Sequence, residues 1–181
     1  TEIMDVIIYP ALDLAIKRMF WRFIWFGDKE AQNVSTGQIT DGVDVKLFKP
    51  CNGFWKQLFA IGAANTGQRV NIAANSEAST AAQLSGIKTA NVAIGIFDSL
   101  LENADPRIAA MEGAAIYCTK SLGDALTKDL KREYKEILTW EQIFKGLDVT
   151  EYNGVMVYRV SIWDRFIQKY QNNGTKLNLP R

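Results

Sequence analysis

Few residues in this chain could do chemistry, and their spacing limits what that chemistry would be. Gly62-Ala-Ala-Asn-Thr-Gly67 is a glycine-bounded turn of the kind that can cradle a phosphate with backbone N–H groups. It lacks the GxGxxG spacing, the P-loop lysine and a strong preceding strand, so it reads as a structural turn. The carboxylates stand singly or beside lysines: Asp13 with Lys17, Asp124 with Lys128, Asp129 with Glu133 and Lys135. On a helix these spacings make solvated ion pairs. A carboxylate acid/base pair would need an apolar cleft to split its pKa values, and no segment offers one. Histidine is absent, which removes a Ser–His–Asp arrangement, the commonest general base and the commonest metal ligand. A Ser–Lys pair stays formally open, although Thr119-Lys120-Ser121 reads better as a strand-to-helix cap. Cys51 and Cys118 show no metal or redox spacing and read as small buried hydrophobes of a reducing compartment. Trp21 and Trp25 could stack on a ligand, but apolar neighbours favour packing. The expectation is a non-enzyme with no catalytic residue, no cofactor and no metal.

Composition narrows the classes further. The chain has 181 residues, 48% of them hydrophobic and 23% charged, with a net charge of +1. That length buries a full core without staples and suits one domain or one and a half. No basic block exceeds three residues, so neither a nucleic-acid footprint nor an anionic-membrane footprint is supported. No uncharged window reaches the roughly 18 residues of a membrane span, and the first seventeen residues do not read as a secretory leader. The chain starts at Thr1 on residues that already read as helical and ends at Leu179-Pro180-Arg181. It is therefore expected to be a piece of a longer protein.

The elements that must position these residues begin with one helix ending at Phe26, in which Pro10 is tolerated only in the first turn. Residues 7–28 are apolar on nearly every side. Ile8, Leu12, Ile16, Phe20 and Phe23 form one stripe; Leu14, Trp21 and Trp25 form another; Asp13, Lys17, Arg18 and Arg22 leave a narrow polar strip. Gly27 is expected to be a left-handed C-cap. A surface loop (28–40) precedes a short strand at 43–48. A helix over 54–61 and a strand at 70–72 follow, with Ser76 and Ser79 as N-caps. Residues 88–103 predict a helix, 114–118 a buried strand and 121–135 a third helix capped by Thr119 or Ser121. Thr139-Trp-Glu-Gln142 carries a capping-box signature for a helix over 140–144. Strands at 147–149 and 154–160 flank Tyr152-Asn-Gly154, the strongest short hairpin signal. Residues 161–170 form a last helix, followed by a polar turn over 171–174.

The order of these segments resembles the major capsid proteins of tailed bacteriophages, the Hong-Kong-ninety-seven type of shell fold. Phe26-Gly27-Asp28 is similar to the end of that family's spine helix. Gly53-Phe54-Trp55 matches its glycine-plus-apolar segment. Ile116-Tyr-Cys-Thr119 matches its strand-to-helix start. Gly154-Val-Met-Val157 matches its turn into a central strand, without the usual proline. The resemblance spans about residues 11–161. It lacks the family's N-terminal arm and long hairpin loop, and 161–174 read as an insertion.

The resemblance implies an α+β fold: a long spine helix with a small peripheral sheet over 1–70, and an axial domain of mixed sheet flanked by helices over 71–181. It implies a virion structural protein assembled in the bacterial host cytoplasm. Copies would tile hexamers and pentamers around DNA packaged without sequence specificity. The partners are capsid neighbours of the same chain and a scaffold protein, with no membrane. Phe20, Trp21, Phe23, Trp25, Phe26, Phe54 and Trp55 are the expected packing or subunit contacts. An encapsulin-like compartment shell and an unrelated α/β ligand-binding or enzyme domain using the 62–67 turn are the alternatives. Without the arm and loop, this piece alone is expected not to close into shells. One of the two stripes is expected to be partly exposed in an isolated copy.

Overall fold

The computed structural model describes residues 3–30, 48–70, 72–73, 77, 79–109 and 111–170. The fold is α+β, with helices and one four-stranded mixed sheet. The chain divides into two compact units, Thr1–Arg69 and Val70–Arg181.

The described part of the first unit is helical. A π-helical segment, Met4–Ile8, runs straight into α1, Tyr9–Phe26. Its wide turn, with the Tyr9 N–H bonded to the Met4 carbonyl, sits just before Pro10. Proline cannot donate to the carbonyl four residues back and its ring crowds that carbonyl, so a widened turn there relieves both problems. Helix α2 is Phe54–Ala64, followed by a 3₁₀ turn, Thr66–Gln68. Gly27 is not the expected left-handed cap. Its φ of −60° and ψ of 139° are extended, and its lack of a side chain answers a close approach of backbone instead. The strand expected at 43–48 lies outside the described residues except for Phe48, which is buried.

The second unit carries the core. Helix α3 is Thr80–Ile87, with Ser79 Oγ accepting the Ala82 N–H at 3.1 Å as its N-cap; Ser76 lies outside the described residues. Helix α4 is Val92–Glu102, shorter than the 88–103 expected. Residues 88–91 are spent on the turn out of α3, closed by Lys88 and Thr89 N–H bonds and by Asn91 at φ 65°. Val70 and Ile72 are irregular rather than a strand. A short α5, Pro106–Ala109, precedes β1, Ala115–Thr119, and α6, Lys120–Glu133. Thr119 Oγ1 caps α6 by accepting the Leu122 N–H at 3.3 Å.

The sheet has the order β1-β4-β3-β2, with β2 Glu141–Phe144, β3 Leu147–Tyr152 and β4 Val155–Val160. β1 pairs parallel with β4, setting Ile116 opposite Val157; the other two pairings are antiparallel. A parallel pair needs a crossover, and α6 with the β2–β3 hairpin supplies it. β1 is therefore an edge strand. It is buried only at Cys118 and Thr119, and Tyr117 stands exposed and stacked on Tyr158 with ring centroids 5.1 Å apart.

The helix expected over 140–144 is strand β2. Lys145-Gly146, with Gly146 at φ 100°, turns the chain back onto β3, and Thr150 Oγ1 donates to the Thr139 carbonyl at 2.7 Å. Those pairings outweigh a capping signature only four residues long. Helix α7, Ser161–Tyr170, closes the unit and buries Trp163, Phe166 and Ile167. The main core gathers Ile87, Ala93, Ile96 and Phe97 with Cys118, Leu122, Leu126, Leu130, Tyr152 and Val157.

Candidate subunit-contact surface

Helix α1 buries none of its residues. Ile8, Leu12, Ile16, Phe20 and Ile24, four apart, are all exposed, and Phe20 keeps 47% of its surface open. A spacing of four holds them near one another along the helix. On α2, Phe54, Leu58 and Ile61 repeat the pattern and are likewise exposed. Sequence reasoning named Phe54 and missed Leu58 and Ile61, although their i, i+4, i+7 spacing carries the signal. Soluble monomers rarely expose a large contiguous apolar patch, which makes this face the candidate contact surface.

The C-terminal end of α1 packs on α2. Trp25 lies 5.3 Å from Phe54 and 6.1 Å from Trp55 between ring centroids. Trp21 stacks along α1 on Trp25 at 6.2 Å, and Trp55 stacks on Phe59 at 5.6 Å. Phe23 tilts against Phe20 at 5.2 Å, and Phe26 is half-buried at the helix end. Phe20, Trp21, Phe23, Trp25, Phe54 and Trp55 all make ring contacts, and Trp21, Phe23, Trp25 and Phe26 are half-buried while Leu14, expected in the tryptophan stripe, is exposed. The row from Ile8 to Phe20 is the open one.

A backbone junction fixes the angle between these helices. Gly53 N–H donates to the Gly27 carbonyl at 2.8 Å, and Asp28 N–H donates to the Phe48 carbonyl at 2.7 Å. A Cβ on Gly27 would overlap the Phe23 carbonyl oxygen and come within 2.5 Å of that of Cys51; one on Gly53 would lie 2.7 Å from the Gly27 nitrogen. Lys56 bonds Asp28 and also Glu30, the latter at 2.7 Å. Burial pulls the Lys56 ammonium down, but the two carboxylates outweigh it and hold its pKa above the ordinary value.

In the second unit one cluster of charged groups is mutually paired. Arg159 donates to Asp148 at 2.6 Å and to Asp124 at 2.8 Å, with its guanidinium 4.3 Å from the Trp140 ring centroid. Asp124 also takes Lys120 at 2.5 Å, so its lysine partner is not Lys128. Asp129 is no solvated ion-pair member. It is 2% exposed and accepts the Ala93 N–H at 3.1 Å, with Arg132 at 3.6 Å. It thereby caps α4, whose own Asn91 side chain makes no cap bond. Asp164 does the same for α6, accepting Ser121 N–H at 2.9 Å and Ser121 Oγ–H at 2.5 Å, so the cap of α6 is Thr119 and Ser121 is a capped residue of its first turn.

Burial pushes the Cys118 thiol up to about 12, which suits a core residue rather than a nucleophile. Gly62 lies within α2 and Gly67 in the 3₁₀ turn, so the expected 62–67 turn is in fact mostly helix end. Among the described residues no group of His, Cys, Asp and Glu is arranged to hold a metal, and no helix is long and apolar enough to cross a membrane. Compared with known protein families, curated proteins and solved structures, the chain matches none.

Proposed function

We propose that this chain is a structural subunit of a self-assembling icosahedral shell of the tailed-bacteriophage capsid type. The observation that carries the reading is the exposed apolar row Ile8–Leu12–Ile16–Phe20–Ile24 on a helix that buries nothing. A shell subunit needs a large apolar surface that another copy covers, and it needs no active site.

The four segments that resemble the capsid family support the same reading. They come together two by two: Gly27 meets Gly53 through a backbone hydrogen bond, and Ile116 meets Val157 across a parallel pair. Segments singled out for their order along the chain therefore mark the places where each unit closes on itself. On this reading the partners are further copies of the chain, a scaffold protein and DNA packaged without specificity. The protein would reside in the virion after assembly in the bacterial cytoplasm.

The test is the assembly state of the whole natural chain, expressed alone and with the products of its neighbouring genes. Electron microscopy and native mass spectrometry are expected to give pentamers, hexamers or closed shells of uniform size. A monomer under both conditions overturns the proposal.

A further inference from the structure

The sequence contains three Asn-Gly pairs: Asn52-Gly53, Asn153-Gly154 and Asn173-Gly174. The third lies outside the described residues. An Asn-Gly pair is the one most open to attack by the following backbone nitrogen on the side-chain amide, because glycine offers no Cβ to obstruct the approach. The structure treats the first two pairs oppositely.

Gly53 is buried and its N–H is committed to the Gly27 carbonyl at 2.8 Å. The amide of Asn52 is held as well, its Oδ1 accepting the Lys29 N–H at 3.0 Å. The nitrogen that would attack is occupied and the carbon it would attack is fixed. Asn153 and Gly154 instead form the exposed tip of the β3–β4 hairpin, at φ 49° and 79°. In such a two-residue turn the flanking pair, Tyr152 and Val155, takes the cross-strand bonds, which leaves the Gly154 N–H toward solvent.

We propose that Asn153 is a site of spontaneous deamidation in the folded protein and that Asn52 is protected from it. The Gly154 nitrogen gives up its proton and bonds to Cγ of Asn153. The bond from Cγ to the amide nitrogen breaks, and ammonia leaves. Water then opens the resulting cyclic imide at either carbonyl, giving aspartate or isoaspartate. Isoaspartate routes the main chain through the side-chain carbon and lengthens it by one atom. A turn with two residues between paired strands cannot absorb that atom without shifting register. The residue beside it, Tyr152, packs on Phe97 and donates to Asp98 at 2.7 Å, so the disturbance reaches the hold of β3 on α4. The inference does not depend on the shell reading.

The test is peptide mapping by mass spectrometry after incubation of the folded protein at mildly alkaline pH, beside a sample held in urea. In the folded sample the tryptic peptide 146–159 is expected to gain about one dalton and to split into aspartate and isoaspartate forms, while peptide 47–56 stays intact. In urea both are expected to react. Reaction of Asn52 in the folded sample at the rate of Asn153 overturns the inference. So does an Asn153 that reacts only in urea.

Discussion

Gly53 donates its N–H to the carbonyl of Gly27 across the junction of α1 and α2, and neither residue has room for a side chain. The atoms that a Cβ would meet at both positions are backbone, which cannot rotate away. Gly27→Ala and Gly53→Ala are each expected to cost about 1–3 kcal/mol or more, the scale of overpacking in a tight site. Gly67→Ala, where a Cβ meets nothing within 4 Å, is expected to be near neutral. Urea unfolding of the three variants checks this. Equal midpoints for Gly53→Ala and Gly67→Ala would remove the junction from the account of the fold.

Asp129 reaches from α6 to the first turn of α4 and is buried. Its carboxylate meets the positive end of the helix dipole and an N–H that has no other cap. Asp129→Ala leaves that buried donor unpaired, with an expected loss of about 1–3 kcal/mol. Asp129→Asn keeps an acceptor in place and is expected to lose less. Hydrogen exchange at Ala93, faster in the Ala variant, separates this cap from a general loss of stability.

Alkaline pH is expected to weaken the second unit. Burial penalises the thiolate and pushes the Cys118 thiol from its ordinary 9.0 up to about 12. Tyr152 is likewise raised above 10.0 by burial and by its hydrogen bond to Asp98. Both groups hold their protons more tightly in the folded state. The stability this represents is fully present below the unfolded values and is lost as pH rises from them through the folded ones. Urea midpoints should stay level up to about pH 9 and then fall. Cys118→Ala should delay the fall toward pH 10, where Tyr152 begins to contribute. A midpoint that rises between pH 9 and 11 would contradict the argument.

The elements legible in the sequence are those specified locally. Thr119 announces α6 through a cap three residues long, Ser79 is the cap expected of it although helix α3 behind it is not among the expected elements, and Asn153-Gly154 sets the β3–β4 turn by its own backbone preferences. The misread elements depend on distant partners. Residues 141–144 satisfy a helix signature and become a strand because β3 pairs with them. Asp129 has the spacing of a surface ion pair and becomes a cap because α4 lies 36 residues away in sequence but adjacent in space. Gly27 sits where a helix C-cap belongs and serves instead to let Cys51 and Gly53 approach. For the contact surface, residue type revealed the aromatics of α1. Which part of that helix is covered follows only from where α2 packs: residues up to Phe20 stay open.

The open length of α1 and its covered end should therefore separate in mutation. Trp25 touches Trp21, Phe54 and Trp55 and is half-buried. Trp25→Ala is expected to destabilise the first unit by about 1–3 kcal/mol, short of the 3–5 typical of a fully buried ring. Leu12 and Phe20 stand on the open row. Leu12→Gln and Phe20→Gln keep the helix and remove exposed apolar surface that a partner would cover, Phe20 also giving up its contact with Phe23. Each is expected to leave unfolding within about 0.5 kcal/mol of the parent. A side chain covered on association contributes about 1.5–3 kcal/mol, so each of these variants should weaken self-association roughly ten- to a hundredfold. Sedimentation velocity over a concentration series reads that change, and circular dichroism during urea unfolding reads the other. If Leu12→Gln unfolds the protein as Trp25→Ala does, the row is internal packing. If association is unchanged in both glutamine variants, copies do not meet through this face.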